Sequence, residues 1–480
     1  MNDDRRTALL VAAIEDGAPA SELARMSLPS TYRAAVTKRS DVAAATALPE
    51  EERSVADTLH VESVPTPALA PDEALVAVMA SSINYNTVWS SIFAPVPTFA
   101  FLDRLAAEGG WAARHGGDRH VLGSDAAGVV VAVGSNVARF AVGDHVAVHG
   151  NWVDGEDPAT YADAMRSPTQ RAWGFETNFG GLADLALVKA SQLLPKPAHL
   201  TWEETASTTL CNATAYRMLI SPNGANLRLG DRVLIWGATG GIGSFAVQQA
   251  VATGAEPICV VSSPARAAAL RRLGVRRVID RRAEGYRFLT DDGTGVDRAE
   301  VDRFAARVHE LAGGGVDVVF EHPGRETIAA SIASCRPGGA VVTCAATTGY
   351  AMPMDAGVAT TSSVRIIGSH FANYHENARA NDLVRRGLVH PTMTASRPLD
   401  EVASATQLVR DGRHDGKVAI TCLGAPGTGV TDPWRRAELG EDRISAFRLA
   451  VGRSAPTPGA QSPPETSSTL ALPAEIHGII

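Results

Sequence analysis

The stretch Val233-Leu234-Ile235-Trp236-Gly237-Ala238-Thr239-Gly240-Gly241-Ile242-Gly243-Ser244 decides the fold of this chain. It consists of an apolar strand, a glycine-rich turn and the first residues of a helix. Glycines let a backbone turn approach a pyrophosphate, and a helix N-terminus offers amides and the positive end of its dipole. A second strand follows at the spacing of a dinucleotide fold, so a turn without a ligand is the weaker alternative. We therefore predict that a dinucleotide binds at Gly237, Gly240, Gly241, Ile242 and Gly243.

Outward from this turn, short β-branched runs alternate with alanine-rich helical stretches over residues 213–371. The further runs are Ile258–Val261, Val278–Asp280, Val316–Phe320 and Ala340–Cys344. Such alternation is typical of a doubly wound parallel sheet. Residues 46–212 are richer in strands and glycine, as small barrels require. The predicted fold class is α/β, with a β-rich catalytic domain followed by a Rossmann-type parallel sheet.

The two ends of the chain are predicted to be accessory. Residues 1–45 are predicted to form an N-terminal helical cap, and residues 372–449 a C-terminal return to the catalytic domain. Residues 450–480 are predicted to be a disordered tail, because the chain after residue 452 is rich in proline, serine and threonine. Such a composition buries too little apolar surface to offset the entropy of ordering, so the tail is expected to be dispensable.

Composition restricts the partners and the compartment. The net charge is −8 and thinly spread, which argues against a nucleic-acid surface. No uninterrupted apolar stretch approaches the roughly 20 residues of a membrane span, and the N-terminus lacks a secretory signal. The five cysteines form no C-x-x-C pair. We therefore expect a cytoplasmic protein that binds neither nucleic acid nor membrane.

The second strand of the dinucleotide fold indicates which cofactor binds. An NAD site usually carries an acidic residue at the end of this strand, for the ribose hydroxyls. Here Ser262 and Ser263 stand at that position, with Arg266 soon after and Arg281 beyond the third strand. Each arginine taken alone could simply be solvated. Together with the missing carboxylate, these residues predict that the cofactor is NADPH.

The segment Leu122–Val130 resembles the one that carries Gly-His-Glu in zinc alcohol dehydrogenases, but Ser124 and Asp125 replace the histidine and the glutamate. No cysteine occurs near Asn84, where the first zinc thiolate would lie. We therefore predict that the site holds no metal, zinc included. Without a Lewis acid, reduction of an alkene activated by a thioester fits better than oxidation of an alcohol.

Five ordered segments carry a more specific resemblance. They are Ser81–Trp89, Trp173–Gly181, Ala213–Arg217, Phe320–Thr327 and Ile366–Tyr374. With them the chain resembles medium-chain dehydrogenase/reductases and, within these, the crotonyl-CoA carboxylase/reductase family, from about residue 5 to residue 449. The resemblance implies a GroES-like catalytic domain beside the Rossmann domain, and a homodimer or homotetramer.

The resemblance also implies an activity, which is the NADPH-dependent reductive carboxylation of a 2-enoyl-CoA to an alkylmalonyl-CoA of the polyketide extender-unit type. Carbon dioxide is then the co-substrate. Biotin is not expected, because neither a biotinyl-lysine motif nor an ATP-grasp domain is visible. By motif, the residues that hold carbon dioxide fall on Asn84, Phe175, Glu176 and His370, with Asn86 open as an alternative to Asn84.

Two other functions remain open at this point. One is an enoyl-thioester reductase that protonates the enolate without carboxylating it. The other is a binding or scaffold protein, whose expected signature is a damaged glycine loop; here the glycines are present.

The chain departs from the family at the small-residue stretch Asp355–Thr361, where bulky and basic side chains are usual, and at Pro337, which replaces a basic residue. Gly181 is also small beside Phe175 and Glu176. These departures predict either a pocket for longer acyl chains or a weaker grip on the CoA moiety.

Overall fold

The computed structural model describes residues Met1–Gly452. The strands of the described residues are β1 (Thr31–Lys38), β2 (His60–Pro65), β3 (Glu73–Ser82), β4 (Arg119–Val121), β5 (Ala127–Val133), β6 (His145–Val148), β7 (Asn151–Trp152), β8 (Arg171–Ala172), β9 (Leu185–Lys189), β10 (Leu193–Pro195), β11 (Arg232–Ile235), β12 (Glu256–Val261), β13 (Arg277–Asp280), β14 (Val316–Glu321), β15 (Cys335–Thr343), β16 (Arg365–Gly368), β17 (Met393–Pro398) and β18 (Lys417–Thr421). The helices are α1 (Asp3–Glu15), α2 (Ala20–Leu23), α3 (Val42–Thr46), α4 (Tyr85–Ser91), α5 (Phe99–Ala106), α6 (Thr160–Asp163), α7 (Trp202–Ala206), α8 (Leu210–Leu219), α9 (Gly241–Ala252), α10 (Pro264–Arg272), α11 (Arg298–Ala312), α12 (Ile328–Ser334), α13 (Ala356–Thr361), α14 (Tyr374–Arg385), α15 (Val402–Arg410), α16 (Pro433–Leu439), α17 (Glu441–Ile444) and α18 (Ala446–Gly452).

The chain divides into two compact units, and it passes between them several times. The first unit comprises Met1–Ala213, Phe371–Gly387 and Pro391–Glu441. The second comprises Thr214–His370, Leu388–His390 and, among the described residues, 442–452.

The first unit is built around β3, whose ten residues are all buried. This strand pairs antiparallel with β5, β9 and β18 in a seven-stranded sheet. A strand that is buried on both faces carries a nearly continuous apolar run, as Ala74–Ala80 does. Strand β18, the last strand of this sheet in the sequence, pairs with β3, which is the first.

The prediction that residues 1–45 form a helical cap is wrong in part, since α1 and α2 are helical but the residues after them include a strand. Their second half forms β1, which pairs antiparallel with β2 and with β4. Tyr32, Ala34 and Val36 are buried in the core of the first unit, with Leu10 and Ile14 of α1. Because alternate side chains of a strand face the same side, this spacing is a strand signal that the helical interpretation overlooked.

The second unit contains a six-stranded parallel sheet in the order β13-β12-β11-β14-β15-β16. The strand order reverses direction between β11 and β14, which is the point where such sheets bind their ligands. The predicted doubly wound parallel sheet is confirmed. The aromatic side chains of Trp236 and Phe304 stack in its core at a centroid distance of 5.0 Å.

The prediction that residues 372–449 all return to the catalytic domain is also wrong in part. Helix α18 packs against α10 in the second unit, and Arg272 Nη2 donates to the carbonyl oxygen of Ala450 at 3.0 Å. His390 belongs there too, since its backbone exchanges hydrogen bonds with the side chain of Gln248. The apolar side chains Phe447 and Ala450 are buried, which explains why this segment is ordered rather than part of a tail.

The predicted disordered tail lies outside the described residues, apart from residues 450–452, which end α18. None of the helices within Met1–Gly452 combines the length and the apolar character needed to cross a membrane.

Candidate active site

The glycine-rich turn of the second unit follows β11 directly. Gly237 has a φ of +55°, in the left-handed region that favours glycine. Gly240 is the N-cap of α9. A Cβ on Gly243 would lie 2.3 Å from the carbonyl oxygen of Gly237, so the turn closes only around a glycine. The result is a bare backbone leading into a helix N-terminus, which fits the pyrophosphate of a dinucleotide.

The predicted phosphate-binding side chains follow the two neighbouring strands. Ser263 caps α10, and Arg266 Nη1 donates to the hydroxyl of Ser262 at 3.0 Å. Arg281 follows β13 and forms an ion pair with Glu326 at 3.4 Å. Because β13, β12 and β11 are parallel neighbours, their carboxyl ends meet at one edge of the sheet. The structure thus brings the predicted cofactor residues to a single edge, and this donor set fits a phosphorylated ribose.

A residue that the sequence analysis did not single out lies at the same edge. His322 follows β14, and its Nε2 lies 3.0 Å from the carbonyl oxygen of Trp236. Burial lowers the pKa of His322 to about 4, so the imidazole is neutral near pH 7 and donates its Nε2–H to that carbonyl. A Cβ on Gly237 would lie 2.7 Å from the same Nε2. His322 therefore fixes the glycine-rich turn from the side.

In the first unit, Asn84 lies at the end of β3 in a buried polar network. The Nδ2 of Asn84 donates to Asp125 Oδ2 at 2.7 Å, and its Oδ1 accepts from Lys417 Nζ at 2.5 Å. Lys417 Nζ also reaches Asp125 Oδ2 at 3.1 Å. The exposed fractions are 5% for Asn84, 0% for Asp125 and 2% for Lys417. A buried charge must be paired, and here each charge has its counterion.

Asp125 is the centre of this network. Its Oδ2 also accepts from Ser82 Oγ at 2.6 Å, and its Oδ1 accepts from the Leu210 amide at 2.9 Å and from the Thr209 hydroxyl. These donors satisfy the acceptor oxygens of a side chain that has no access to water.

The alternative residue Asn86 has a different environment. Its Nδ2 donates to Ser124 Oγ at 2.7 Å, and Ser124 Oγ donates in turn to the carbonyl oxygen of Trp173 at 2.6 Å. The Oδ1 of Asn86 is buried without a hydrogen-bond partner among the described residues. Ser124 therefore links the segment that follows β3 to the segment that carries Phe175 and Glu176.

Phe175 and Glu176 lie in a tight turn after β8. Glu176 Oε2 accepts from the Ala172 amide at 2.7 Å, and burial raises the pKa of Glu176. The rings of Phe175 and Phe101 pack at a centroid distance of 5.7 Å. Gly174 has a φ of +67°, and a Cβ on it would lie 2.0 Å from the carbonyl oxygen of Gly123. This glycine lets the turn pack against the segment between β4 and β5, which carries Asp125.

The fourth predicted residue, His370, belongs to the second unit. It follows β16 within two residues, and its side chain is exposed. Asn84, Phe175 and Glu176 all belong to the first unit.

The residues expected at a zinc site in related enzymes serve other purposes. The Ser124 hydroxyl links two backbone segments, and Asp125 is paired with Lys417. Within residues 1–452, no three His, Cys, Asp or Glu side chains come together in a way that could hold a metal ion.

Lys417 is the site residue that sequence analysis missed. The chain has only four lysines, and Lys417 begins the apolar run Lys417-Val418-Ala419-Ile420. A lysine whose strand is otherwise apolar is a signal of a buried cation with a counterion.

Comparisons with known proteins agree with this architecture. The alcohol dehydrogenase GroES-like domain matches residues 70–198, and the zinc-binding dehydrogenase family matches residues 241–386. A GroES-like unit combined with a Rossmann sheet defines the chain as a medium-chain dehydrogenase/reductase.

More specific relatives cover nearly the whole chain. The crotonyl-CoA reductase of Streptomyces collinus is 48% identical over 443 residues, which are 92% of this chain and 98% of that protein. The crotonyl-CoA carboxylase/reductase of Cereibacter sphaeroides is 38% identical over 78% of this chain and 85% of its own length. A 2-octenoyl-CoA carboxylase reductase solved with NADP and 2-octenoyl-CoA is 49% identical, with a TM-score of 0.87 over 92% of this chain and 98% of that one. The chain belongs to the crotonyl-CoA carboxylase/reductase family of oxidoreductases, which confirms the resemblance and the fold class.

Proposed function

We propose that this protein reduces a 2-enoyl-CoA with NADPH and carboxylates the same substrate to an alkylmalonyl-CoA. The observation that carries the proposal is the nearly full-length match to a 2-octenoyl-CoA carboxylase reductase solved with NADP and 2-octenoyl-CoA. The glycine-rich turn with Ser262, Ser263, Arg266 and Arg281 supports NADPH as the cofactor.

When bound, NADPH supplies the hydride that adds to the β-carbon of the enoyl group. The two electrons of the alkene then rest on the thioester enolate, whose α-carbon forms a bond to the carbon of CO₂. One C=O electron pair of CO₂ moves to oxygen and gives the carboxylate, so neither a proton nor ATP is consumed.

The first-unit residues are suited to hold CO₂ and to keep water away. CO₂ accepts hydrogen bonds only weakly, so a donor fixed in advance is needed. An amide nitrogen carries two N–H groups, and the contact of Asn84 with Asp125 uses one of them. Phe175, packed on Phe101, excludes the water that would protonate the enolate. Glu176, fixed by the Ala172 amide, orients a water or an amide. For His370, in the second unit, only the family resemblance implies a role.

Asn84 is preferred to Asn86 as the CO₂ ligand for a reason of polarity. The atom of Asn86 that has no partner among the described residues is the acceptor Oδ1, whereas the oxygens of CO₂ are themselves acceptors. Each amide has one N–H left to offer, but only Asn84 is fixed at both ends, by Lys417 at its Oδ1 and by Asp125 at its Nδ2.

One assay tests the proposal against a plain enoyl-CoA reductase. NADPH oxidation is followed with crotonyl-, hexenoyl- and octenoyl-CoA as substrates, with and without bicarbonate plus carbonic anhydrase. The products are identified by mass spectrometry. Alkylmalonyl-CoA that appears only with bicarbonate supports the proposal. Saturated acyl-CoA as the sole product under both conditions would establish the non-carboxylating reductase instead.

We propose that the reaction requires no zinc and no biotin. The ion pair of Asp125 with Lys417 supports this, because the carboxylate that faces the site is already neutralised by a lysine. Activity that survives dialysis against a strong zinc chelator, and a metal content well below one ion per chain, are the expected results.

We further propose a cytoplasmic homodimer or homotetramer. Strand β16 ends the parallel sheet, and Ile366 on it is 43% exposed. An uncovered sheet edge with an apolar side chain favours pairing, and a second copy of the chain would cover it. Light scattering after size exclusion should give at least twice the monomer mass; a monomer at micromolar concentration would contradict this.

A further inference from the structure

The amide of Asn84 can adopt only one of its two orientations in this site. Lys417 is a donor without any acceptor, and its Nζ lies 2.5 Å from Asn84 Oδ1. Asp125 as a carboxylate is an acceptor without any donor, and its Oδ2 lies 2.7 Å from Asn84 Nδ2. Rotating the amide by half a turn would set donor against donor and acceptor against acceptor.

Further contacts hold the two charged residues themselves in place. Lys417 Nζ also donates to the carbonyl oxygen of Ile83 at 2.8 Å, so it is bound to the residue that precedes Asn84. The Oδ1 of Asp125 is held by the Leu210 amide at 2.9 Å and by Thr209. The Sγ of Cys211 lies 3.5 Å from Asn84 Oδ1 on another side. Lys417 and Asp125 are thus held in place by their other contacts, and their charges determine the orientation of the Asn84 amide.

We propose that Lys417 and Asp125 are positioning residues for carboxylation, which lock the amide of Asn84 so that its second N–H is held ready for CO₂. This inference rests on the proposed function. It assigns to the ion pair a role in the choice between carboxylation and simple reduction, because a misoriented Asn84 would present its carbonyl oxygen to the oxygens of CO₂. Hydride transfer to the β-carbon does not depend on this orientation.

The test measures the ratio of alkylmalonyl-CoA to saturated acyl-CoA, with crotonyl-CoA and NADPH saturating and CO₂ varied. Lys417→Met should lower this ratio at least tenfold and raise the KM for CO₂. The neutral pair Asp125→Asn/Lys417→Met leaves no charge buried alone, and it should show the same loss even if the single variant folds poorly.

A double-mutant cycle shows whether Lys417 acts through Asn84. Asn84→Ala alone should lower the product ratio to a similar extent. Adding Lys417→Met to Asn84→Ala should change the ratio no further, since the residue to be positioned is already gone.

The matched control is Lys196→Met. Lys196 is also buried in the first unit, with 6% exposure, and donates to the carbonyl oxygens of Pro197 and Gly429 at 3.1 and 2.7 Å. Its hydrogen bonds within the described residues go to carbonyl oxygens of Pro197, Leu200 and Gly429, and not to Asn84. This variant removes another buried lysine, and its product ratio should stay at the wild-type value even where its melting temperature falls.

Several outcomes would overturn the inference. The first is a folded Lys417→Met or Asp125→Asn/Lys417→Met variant that keeps the wild-type ratio of alkylmalonyl-CoA to saturated acyl-CoA. The second is a double variant in which the effects of Lys417→Met and Asn84→Ala on this ratio add. The third is a fall of the ratio in Lys196→Met as large as that in Lys417→Met. Failure of both Lys417 variants to fold beside a folded Lys196→Met would assign the pair to stability alone. A wild-type enzyme that forms no alkylmalonyl-CoA would instead refute the proposed function itself.

Discussion

Each unit of this protein contains a completely buried carboxylate, and the two are stabilised in different ways. Asp125 in the first unit is paired with the ammonium of Lys417. Glu321 in the second unit accepts from the Gly324 amide at 2.9 Å and from the hydroxyls of Thr327 and Ser331 at 2.8 and 2.5 Å. Burial raises the pKa of Glu321.

The difference shows what each carboxylate is for. The neutral donors around Glu321 belong to the turn after β14 and to the start of α12, so Glu321 shapes the backbone beside His322. The ion pair around Asp125 holds the side chain of Asn84. Neutral donors fix the loop around Glu321, whereas a cation and an anion at the two ends of the Asn84 amide fix the direction in which it faces.

The most severe way to break this comparison is to remove the cation of the first unit. Lys417→Met leaves Asp125 buried without a counterion, and we expect a loss of about 3–5 kcal/mol in the free energy of unfolding. Urea unfolding measures it. Lys38→Met, which removes an ion pair with the partly exposed Glu62, should cost about 1 kcal/mol or less. Equal losses in the two variants would contradict the buried pair.

In the second unit, Arg266 and Arg281 are proposed to bind the phosphate of NADPH, and Arg281 pairs with the partly exposed Glu326 rather than with a buried anion. The wild type should prefer NADPH to NADH. Arg266→Ala and Arg281→Ala should each lower kcat/KM for NADPH about 10- to 100-fold, as the loss of a charged hydrogen bond of about 1.5–3 kcal/mol implies, with little effect on NADH. Arg277→Ala is the control, because Arg277 lies at the amino end of the same strand as Arg281 and pairs with Glu256. Equal loss with both cofactors would refute this prediction.

The charge state of Glu321 can be tested by pH. A carboxyl whose folded pKa lies above its ordinary 4.5 adds stability below pH 4.5, and that contribution is lost as pH rises through the folded pKa. The side chain in Glu321→Gln cannot ionise. As pH rises through the folded pKa of Glu321, the free energy of unfolding of this variant should therefore increase relative to that of the wild type, by about 1.4 kcal/mol for each pKa unit of the shift. Unfolding curves measured from pH 4.5 to 8 test this. Curves for the two proteins that stay parallel would show that Glu321 titrates normally.

The smallest expected effect concerns the small side chains of α13 in the second unit. Each substrate methylene buried in the space of a missing side chain recovers about 0.8 kcal/mol, so octenoyl-CoA should exceed crotonyl-CoA in kcat/KM by about tenfold or more. A Cβ on Gly357 would meet only Asp355 Oδ1, at 3.0 Å, so Gly357→Phe is tolerable and should reverse the preference. A KM raised equally for every CoA ester would indicate a weakened CoA grip instead.

The sequence revealed those parts of the molecule whose signals are local. The glycine-rich turn is a contiguous motif, and β11, β12, β13 and β14 are contiguous apolar runs, so these were predicted within one or two residues. Strand β15 begins at Cys335, five residues before the predicted run, because its first residues are not apolar. The pairing of Lys417 with Asp125 joins residues 292 positions apart, and no local pattern contains it. Helix α18 was assigned to the wrong unit for the same reason, because its own sequence does not indicate that it packs against α10.

Gly181 shows how a correct observation can support a wrong inference. Its small size predicted space for substrate, but a Cβ there would lie 2.3 Å from the carbonyl oxygen of Asp125 and 2.9 Å from the Trp173 ring. The missing side chain makes room for the backbone of the same chain. Which of two uses a glycine serves depends on packing partners, and the sequence of one segment does not state them.

The long sequence separation between Asp125 and Lys417 has a consequence for folding during translation. At about 5–20 residues per second, the 292 positions between them take on the order of 15–60 s to synthesise. Throughout that interval the nascent chain has the anion and lacks the cation. Its central strand β3 also lacks its partner β18, because β18 begins with Lys417 and is synthesised at the same time. A chain released before residue 417 would therefore bury an unpaired charge if it closed its first unit, and such a fragment is a natural target for the proteases that clear incomplete proteins.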